Sequence, residues 1–143
     1  MLTLLLSSLP SGDAATIAAN LQLPQTLVEI LAAFNDHQNE IQLRLPDCRR
    51  PSEIAVLLDP YPGLSLILIA SRSPHPLRRV LWLYLTRLAK MRPVLSGEDL
   101  KRLGYKPGPV FKTILDRLRR ETLDGNLKNG TMAQAWLARE FPL

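Results

Sequence analysis

An all-α fold, a compact bundle of about eight short helices with Pro/Gly-rich joints, is predicted by three features of the sequence. Apolar residues recur at three- and four-residue spacing in most segments, and the twelve prolines and seven glycines fall mainly at the joints between them. No segment shows the period-two alternation of a half-buried strand. A chain of 143 residues buries roughly two-thirds of its unfolded surface, so its core needs no covalent staples. Cys48 is the single cysteine; it forms no intramolecular disulfide and fits a half-buried small residue in a reducing, intracellular setting.

The first element is Leu2 to Leu9, apolar on nearly every face, as in a short buried helix, and a chain that opens on such a run reads as the continuation of a longer one. Pro10-Ser11-Gly12 breaks it, and Asp13 is the expected cap of a helix containing Ile17 and Leu21. After Leu23-Pro24, the spacing of Leu27, Ile30, Leu31, Phe34, Gln38, Ile41 and Leu45 predicts one long helix ending before Pro46. His37 lies on it without a second ligand at helical spacing, so metal binding is not expected. Pro51 opens the next helix, followed by Ile54, Val56, Leu57 and Leu58. Asp59 to Gly63 is a turn. Leu64 to Ala70 is apolar on all sides; helix is favoured over strand because a lone strand leaves its backbone hydrogen bonds unsatisfied.

Pro76 begins a helix through Arg92 with an apolar stripe of Leu77, Val80, Leu81, Tyr84, Leu85 and Leu88. Arg78, Arg79, Arg87, Lys90 and Arg92 lie off the stripe or at the ends, and Trp82 is on its flank. A basic amphipathic helix suits a membrane surface, a nucleic acid or a solvated face. The membrane reading is set aside because further core-forming helices bracket this one, and no apolar run approaches the ~20 residues of a spanning helix. A soluble cytoplasmic protein is expected.

Leu95 to Leu127 reads as helix, tight turn, helix. Ser96 and Asp99 have the spacing of a capping box, Gly104 offers a positive φ, and Pro107 and Pro109 force a restart near Pro107. The second helix keeps Val110, Ile114, Leu115, Leu118 and Leu123 in register until Asp124-Gly125 closes it. A last helix begins near Thr131, its expected cap, and packs Met132, Ala135, Trp136 and Phe141 onto the bundle.

Charge is uneven along the chain. Residues 1–48 carry a net −4, residues 49–94 a net +6 and residues 95–143 a net +3, a distribution that fits either a nucleic-acid footprint or solvated helix faces. No phosphate-cradling glycine loop, nucleophile elbow, HExxH or Cys/His ligand cluster occurs. Glu98-Asp99 is the only adjacent acidic pair, and Asp99 has a capping role, so a self-sufficient enzyme is not expected. What remains is the helix restart Lys106-Pro107-Gly108-Pro109. Its free amides suit an anion, Gly108 lets a ligand approach, and Lys101, Arg102, Lys106 and Lys112 flank it. Tyr105 at the turn either stacks on a base or fills the core. A phosphate-binding turn and a structural corner fit these residues equally.

This stretch, LSGEDLKRLGYKPGPVFKTILDRLRRETLDGNL, resembles the C-terminal motif of the bacterial class II tRNA nucleotidyltransferase/poly(A) polymerase family. The match runs without gaps through Leu95, Ser96, Gly97, Asp99, Leu100, Leu103, Gly104, Pro107, Gly108, Pro109, Ile114, Leu115, Leu118, Leu123, Asp124, Gly125 and Leu127. The preceding segment from Arg49 to Leu85 is similar to the lead-in of that motif in cyanobacterial-type members. The resemblance implies a helical body-like region over 1–92, a tail-like region over 93–143, and a role as the C-terminal RNA-binding portion of a larger enzyme. The family's Gly-Ser and Asp-x-Asp motifs, which carry nucleotide transfer in the head, are absent here.

Positions carried over as RNA-facing candidates are Lys101, Arg102, Tyr105, Lys106, Gly108 and Lys112, with Arg117 and Arg120 beside them; neither catalytic nor metal-binding residues are expected in this chain. The parent enzyme is expected to use Mg and ATP, or CTP and ATP, and no cofactor is expected in this portion. Its expected partners are tRNA or other structured RNA and the catalytic head of the same parent chain. A helical assembly module, for instance a homodimer, and helix-hairpin-helix-like DNA binding are the alternatives.

Overall fold

The computed structural model describes residues 2–6 and 8–142, and every regular element among them is helical. In chain order these are α1 (Leu2–Leu6), α2 (Ser11–Asn20), α3 (Gln25–Ala32), α4 (Phe34–Arg44), α5 (Pro51–Leu58), α6 (Gly63–Arg72), α7 (His75–Thr86), α8 (Gly97–Arg102), α9 (Pro109–Leu123) and α10 (Gly130–Glu140), with short 3-10 turns at Leu45–Asp47 and Leu88–Lys90. The all-α expectation holds, and Leu64 to Ala70 is helical, burying Leu66, Leu68, Ile69 and Ala70.

Several boundaries differ from the sequence-based expectation. The single helix expected up to Leu45 bends at Ala33 (φ −89°, ψ 0°) into α3 and α4. No proline or glycine marks the bend; α3 packs on α2 while α4 packs on α6, and a straight rod would not serve both. Asp13 is not the cap of α2 but lies inside its first turn, where its charge still favours the helix N-terminus. The basic helix stops at Thr86 rather than Arg92, with the Thr86 hydroxyl donating back to the Trp82 carbonyl at 2.6 Å. In α10 the cap is Asn129, whose Oδ1 accepts from Met132 N at 2.9 Å, because Thr131 is already helical. That start directs Ala133 and Leu137 inward and leaves Met132 and Ala135 exposed, with Trp136 half-buried.

The chain forms two compact units, one of residues 1–49 and 54–89 and the other of residues 50–53 and 90–143. The first has Leu31, Phe34, Ile41, Leu58, Leu66, Ile69 and Leu81 almost completely buried. The second is built on Leu95, Leu100, Ile114, Leu118, Leu127, Ala133 and Leu137. Each core is continuous enough that single truncations are felt: Leu118→Ala is expected to cost about 2–5 kcal/mol. The cap assignment is tested separately by urea unfolding. Asn129→Ala is expected to destabilise by about 1 kcal/mol and Thr131→Ala by less than about 0.5 kcal/mol, whereas the reverse order would restore Thr131 as the cap.

Candidate nucleic-acid interface

The candidate residues all lie in the second unit, on α8, the turn after it, and α9. Ser96 caps α8 reciprocally. Asp99 N donates to Ser96 Oγ at 3.3 Å, and Ser96 N donates to Asp99 Oδ2 at 2.9 Å. The Ser96 hydroxyl also donates to Asp99 Oδ2 at 2.6 Å, and that bond first, with the Ser96 backbone N–H next, holds the Asp99 carboxyl below the usual aspartate range. The helix ends on a Schellman motif: Gly104 N donates to Lys101 O and Tyr105 N to Leu100 O, both at 3.0 Å, with Gly104 at φ 97°. The same device closes α9, where Gly125 N donates to Thr122 O and Asn126 N to Glu121 O, with Gly125 at φ 77°.

This framework sorts the candidates. Lys101 and Arg102 are exposed on the last turn of α8 and pair with Glu98 at 3.0 Å and Asp99 at 3.9 Å. Tyr105 is partly buried against the core cluster, and its hydroxyl donates to the Phe141 carbonyl at 2.7 Å. Lys106 and Lys112 are exposed at the corner, and neither has an ion-pair partner among the described residues. Helix α9 starts at Pro109 rather than Pro107, with no side chain capping its first amides. Gly108 precedes it with φ 168°, an extended conformation open to any residue, and a Cβ placed there meets nothing within 4 Å. Unlike Gly104 and Gly125, it is not demanded by the fold.

Arg117 and Arg120 belong to a different place. They line a cleft of about 520 Å³ with Glu121, Asn126, Leu127, Trp136, Arg139 and Glu140. Sequence reasoning missed Asn126, Trp136 and Arg139 as surface groups; the available signal was Trp136 and Arg139 three apart on one helix. Charge follows the same division, since the second unit holds twelve Lys or Arg and seven Asp or Glu, while the first holds six of each. The whole net +5 is therefore in the unit that carries the candidates.

The first unit has a polar cluster and an apolar cleft. His37 meets Tyr61 edge-on at 4.9 Å. Burial, and then a hydrogen bond with Glu40, push the Tyr61 hydroxyl up to about 12; Tyr61 and Arg44 hold the Glu40 carboxyl low. The cleft, about 450 Å³, is lined by Gln42, Leu45, Pro46, Pro74, Pro76, Leu77 and Val80. Among the described residues no three His, Cys, Asp or Glu side chains gather as a metal site. Among the described residues no single helix is long and apolar enough to cross a membrane; α5 and α6 have that length and composition only as a pair bent by 112°.

The capping box gives a pH prediction. The folded pKa of Asp99 is depressed, so its contribution is present above the unfolded value of about 3.9 and is lost as pH falls through the lower native value. A carboxyl-detected NMR titration is expected to place the Asp99 midpoint below that of an unfolded aspartate and to return it upward in Ser96→Ala. An ordinary midpoint in the native chain would mean that the box is not formed.

Comparison with known proteins adds what geometry does not. No protein-family model matches the chain, and no solved structure matches it. It is 33% identical over 121 residues to an A-adding tRNA nucleotidyltransferase of Halalkalibacterium halodurans, an alignment covering 83% of this chain and 28% of that protein. It is 34% identical over 82 residues to an A-adding tRNA nucleotidyltransferase of Geobacter sulfurreducens, covering 57% of this chain and 9% of the relative. The chain thus spans only a minor part of each curated relative, and the two matches support a link to the tRNA nucleotidyltransferases.

Proposed function

We propose that this chain is the C-terminal, RNA-holding portion of a tRNA nucleotidyltransferase, binding tRNA by shape and phosphate contacts and doing no chemistry itself. One observation carries the reading: the second unit holds the chain's entire net +5. Lys106 and Lys112 stand there without ion-pair partners among the described residues, beside a helix start whose amides no side chain caps. Neutralising phosphates releases their counterions, so such a surface binds RNA with little base readout. The open space at Gly108 supports close approach of a phosphate to the α9 amides. Lys101 and Arg102, each shared with a carboxylate, contribute less.

Nucleotide transfer belongs, in this reading, to the head of the same parent chain, with Mg and ATP, or CTP and ATP. The described residues offer no ligand cluster for that metal. The relatives' printed activity favours A addition by the parent, and a cytoplasmic location follows from a tRNA substrate. A second reading is an assembly module, favoured by the apolar cleft on the first unit.

Filter binding of labelled tRNA at about 50 mM and 200 mM salt separates these readings. If about five phosphates are neutralised, affinity is expected to fall by a factor on the order of 10² to 10³ between the two. No binding at low salt, or binding without a salt slope, would sink the RNA reading. Equal affinity for duplex DNA would favour the helix-hairpin-helix-like alternative, and self-association in sedimentation without RNA binding would favour assembly. Lys106→Glu with Lys112→Glu is expected to weaken tRNA binding by about tenfold or more; unchanged affinity would return the corner to a purely structural role.

A further inference from the structure

We infer that the cleft formed by the end of α9, residues Asn126 and Leu127, and α10 binds one unstacked nucleotide of an RNA strand, with its base against Trp136 and its phosphate held by Arg120 with Arg117 and Arg139. The inference rests on the RNA reading above and assigns to this cleft a task different from that of the corner at Lys106 to Pro109.

The chemistry of the lining selects the ligand. Three guanidinium groups and one indole share a cleft of about 520 Å³, within the range of roughly 300–1,000 Å³ that small-molecule sites occupy. Guanidinium forks match phosphate oxygens and also stack on planar rings, which is why arginine serves phosphate recognition better than lysine. Trp136 is half-buried, packed on the core cluster and tilted against Phe141 at 5.9 Å between ring centres. Its orientation is thus settled before a ligand arrives, and a base placed on it costs little side-chain ordering. Arg117 is held in the same way, with its guanidinium 5.6 Å from the Phe141 ring and 3.9 Å from Glu140.

The cleft also contains two carboxylates, and each is already engaged. Glu140 takes Arg139 Nε at 3.2 Å as well as Arg117, and Glu121 accepts from Asn126 Nδ2 at 2.7 Å. Arg120 lines the cleft with no ion-pair partner among the described residues, so the uncompensated positive charge is its own. A duplex hides its base faces. A base can lie on Trp136 only when it is looped out or single-stranded, the state in which RNA bases stack on aromatic side chains.

The two tryptophans of the chain make a direct test possible. Trp82 is 45% exposed, so Trp82→Phe is expected to keep the fold, and it makes Trp136 the sole tryptophan, whose emission is read by exciting to the red of tyrosine absorption. In that protein a six-nucleotide oligoadenylate is expected to quench Trp136 emission saturably. Arg120→Gln, an exposed substitution, is expected to weaken that titration several-fold, and Trp136→Leu to weaken oligoadenylate retention on filters by about 5- to 100-fold, the range for losing one base stack. Retention of tRNA on filters with no change in Trp136 emission from either RNA overturns the cleft and leaves the RNA reading standing. Loss of both retention and quenching overturns both, and quenching that Arg120→Gln does not alter overturns the phosphate assignment.

Discussion

The Asp124 carboxylate accepts the Ser52 backbone N–H at 2.9 Å and the Ser52 hydroxyl at 2.8 Å, and that pair fastens the start of α5 to the turn that closes α9. It ties residues 50–53 into a unit otherwise made of residues 90–143, across 72 positions of chain. Hydrogen bonds to a charged acceptor contribute about 1.5–3 kcal/mol each, and a carboxylate beside the first turn of α5 is further favoured by the helix dipole. Its position follows from its neighbours. Leu123 is buried in the last turn of α9, Gly125 takes the positive φ that reverses the chain, and Leu127 is buried again. Asp124 is thus the polar group left at the turn, aimed by the burial of the residues around it.

The same logic explains most of the Leu95–Leu127 stretch. Leu95, Leu100, Ile114, Leu118, Leu123 and Leu127 are core; Ser96 and Asp99 cap; Gly104 and Gly125 turn. These residues specify a fold and leave little for a ligand to touch. Gly108 and the lysines beside it have no such duty, and Arg120 and Trp136 have surface to spare after packing. Among the described residues the fold thus leaves unused a helix start that no side chain caps, two lysines without ion-pair partners, and an arginine-lined cleft with an indole wall.

Much of this was legible in the sequence because it depends on local chemistry. Helical spacing identified α9 and the stripe of α7, and the Ser96, Gly104 and Gly125 signals each sit where the backbone uses them. The errors came where distant packing decides. The bend at Ala33 is imposed by the different partners of α3 and α4; the choice of Asn129 over Thr131 depends on how far α10 must rotate to bury Ala133 and Leu137. Of the candidate corner, Lys106 and Lys112 were readable as exposed cations from charge alone. The anchoring of the Tyr105 hydroxyl was not, because its acceptor is the carbonyl of Phe141, 36 positions away. The cleft was invisible for the same reason, since packing, not spacing, brings Trp136 and Arg139 to Arg117 and Arg120.

If the second unit is the RNA-holding surface, backbone NMR of the isotopically labelled chain titrated with tRNA at low salt reports it residue by residue. The expected result is amide shifts and broadening concentrated in residues 101–120 and 126–140, strongest around Lys106 to Lys112 and around Arg120 and Trp136. No perturbation, or perturbation confined to residues 2–49 and 54–89, would contradict it.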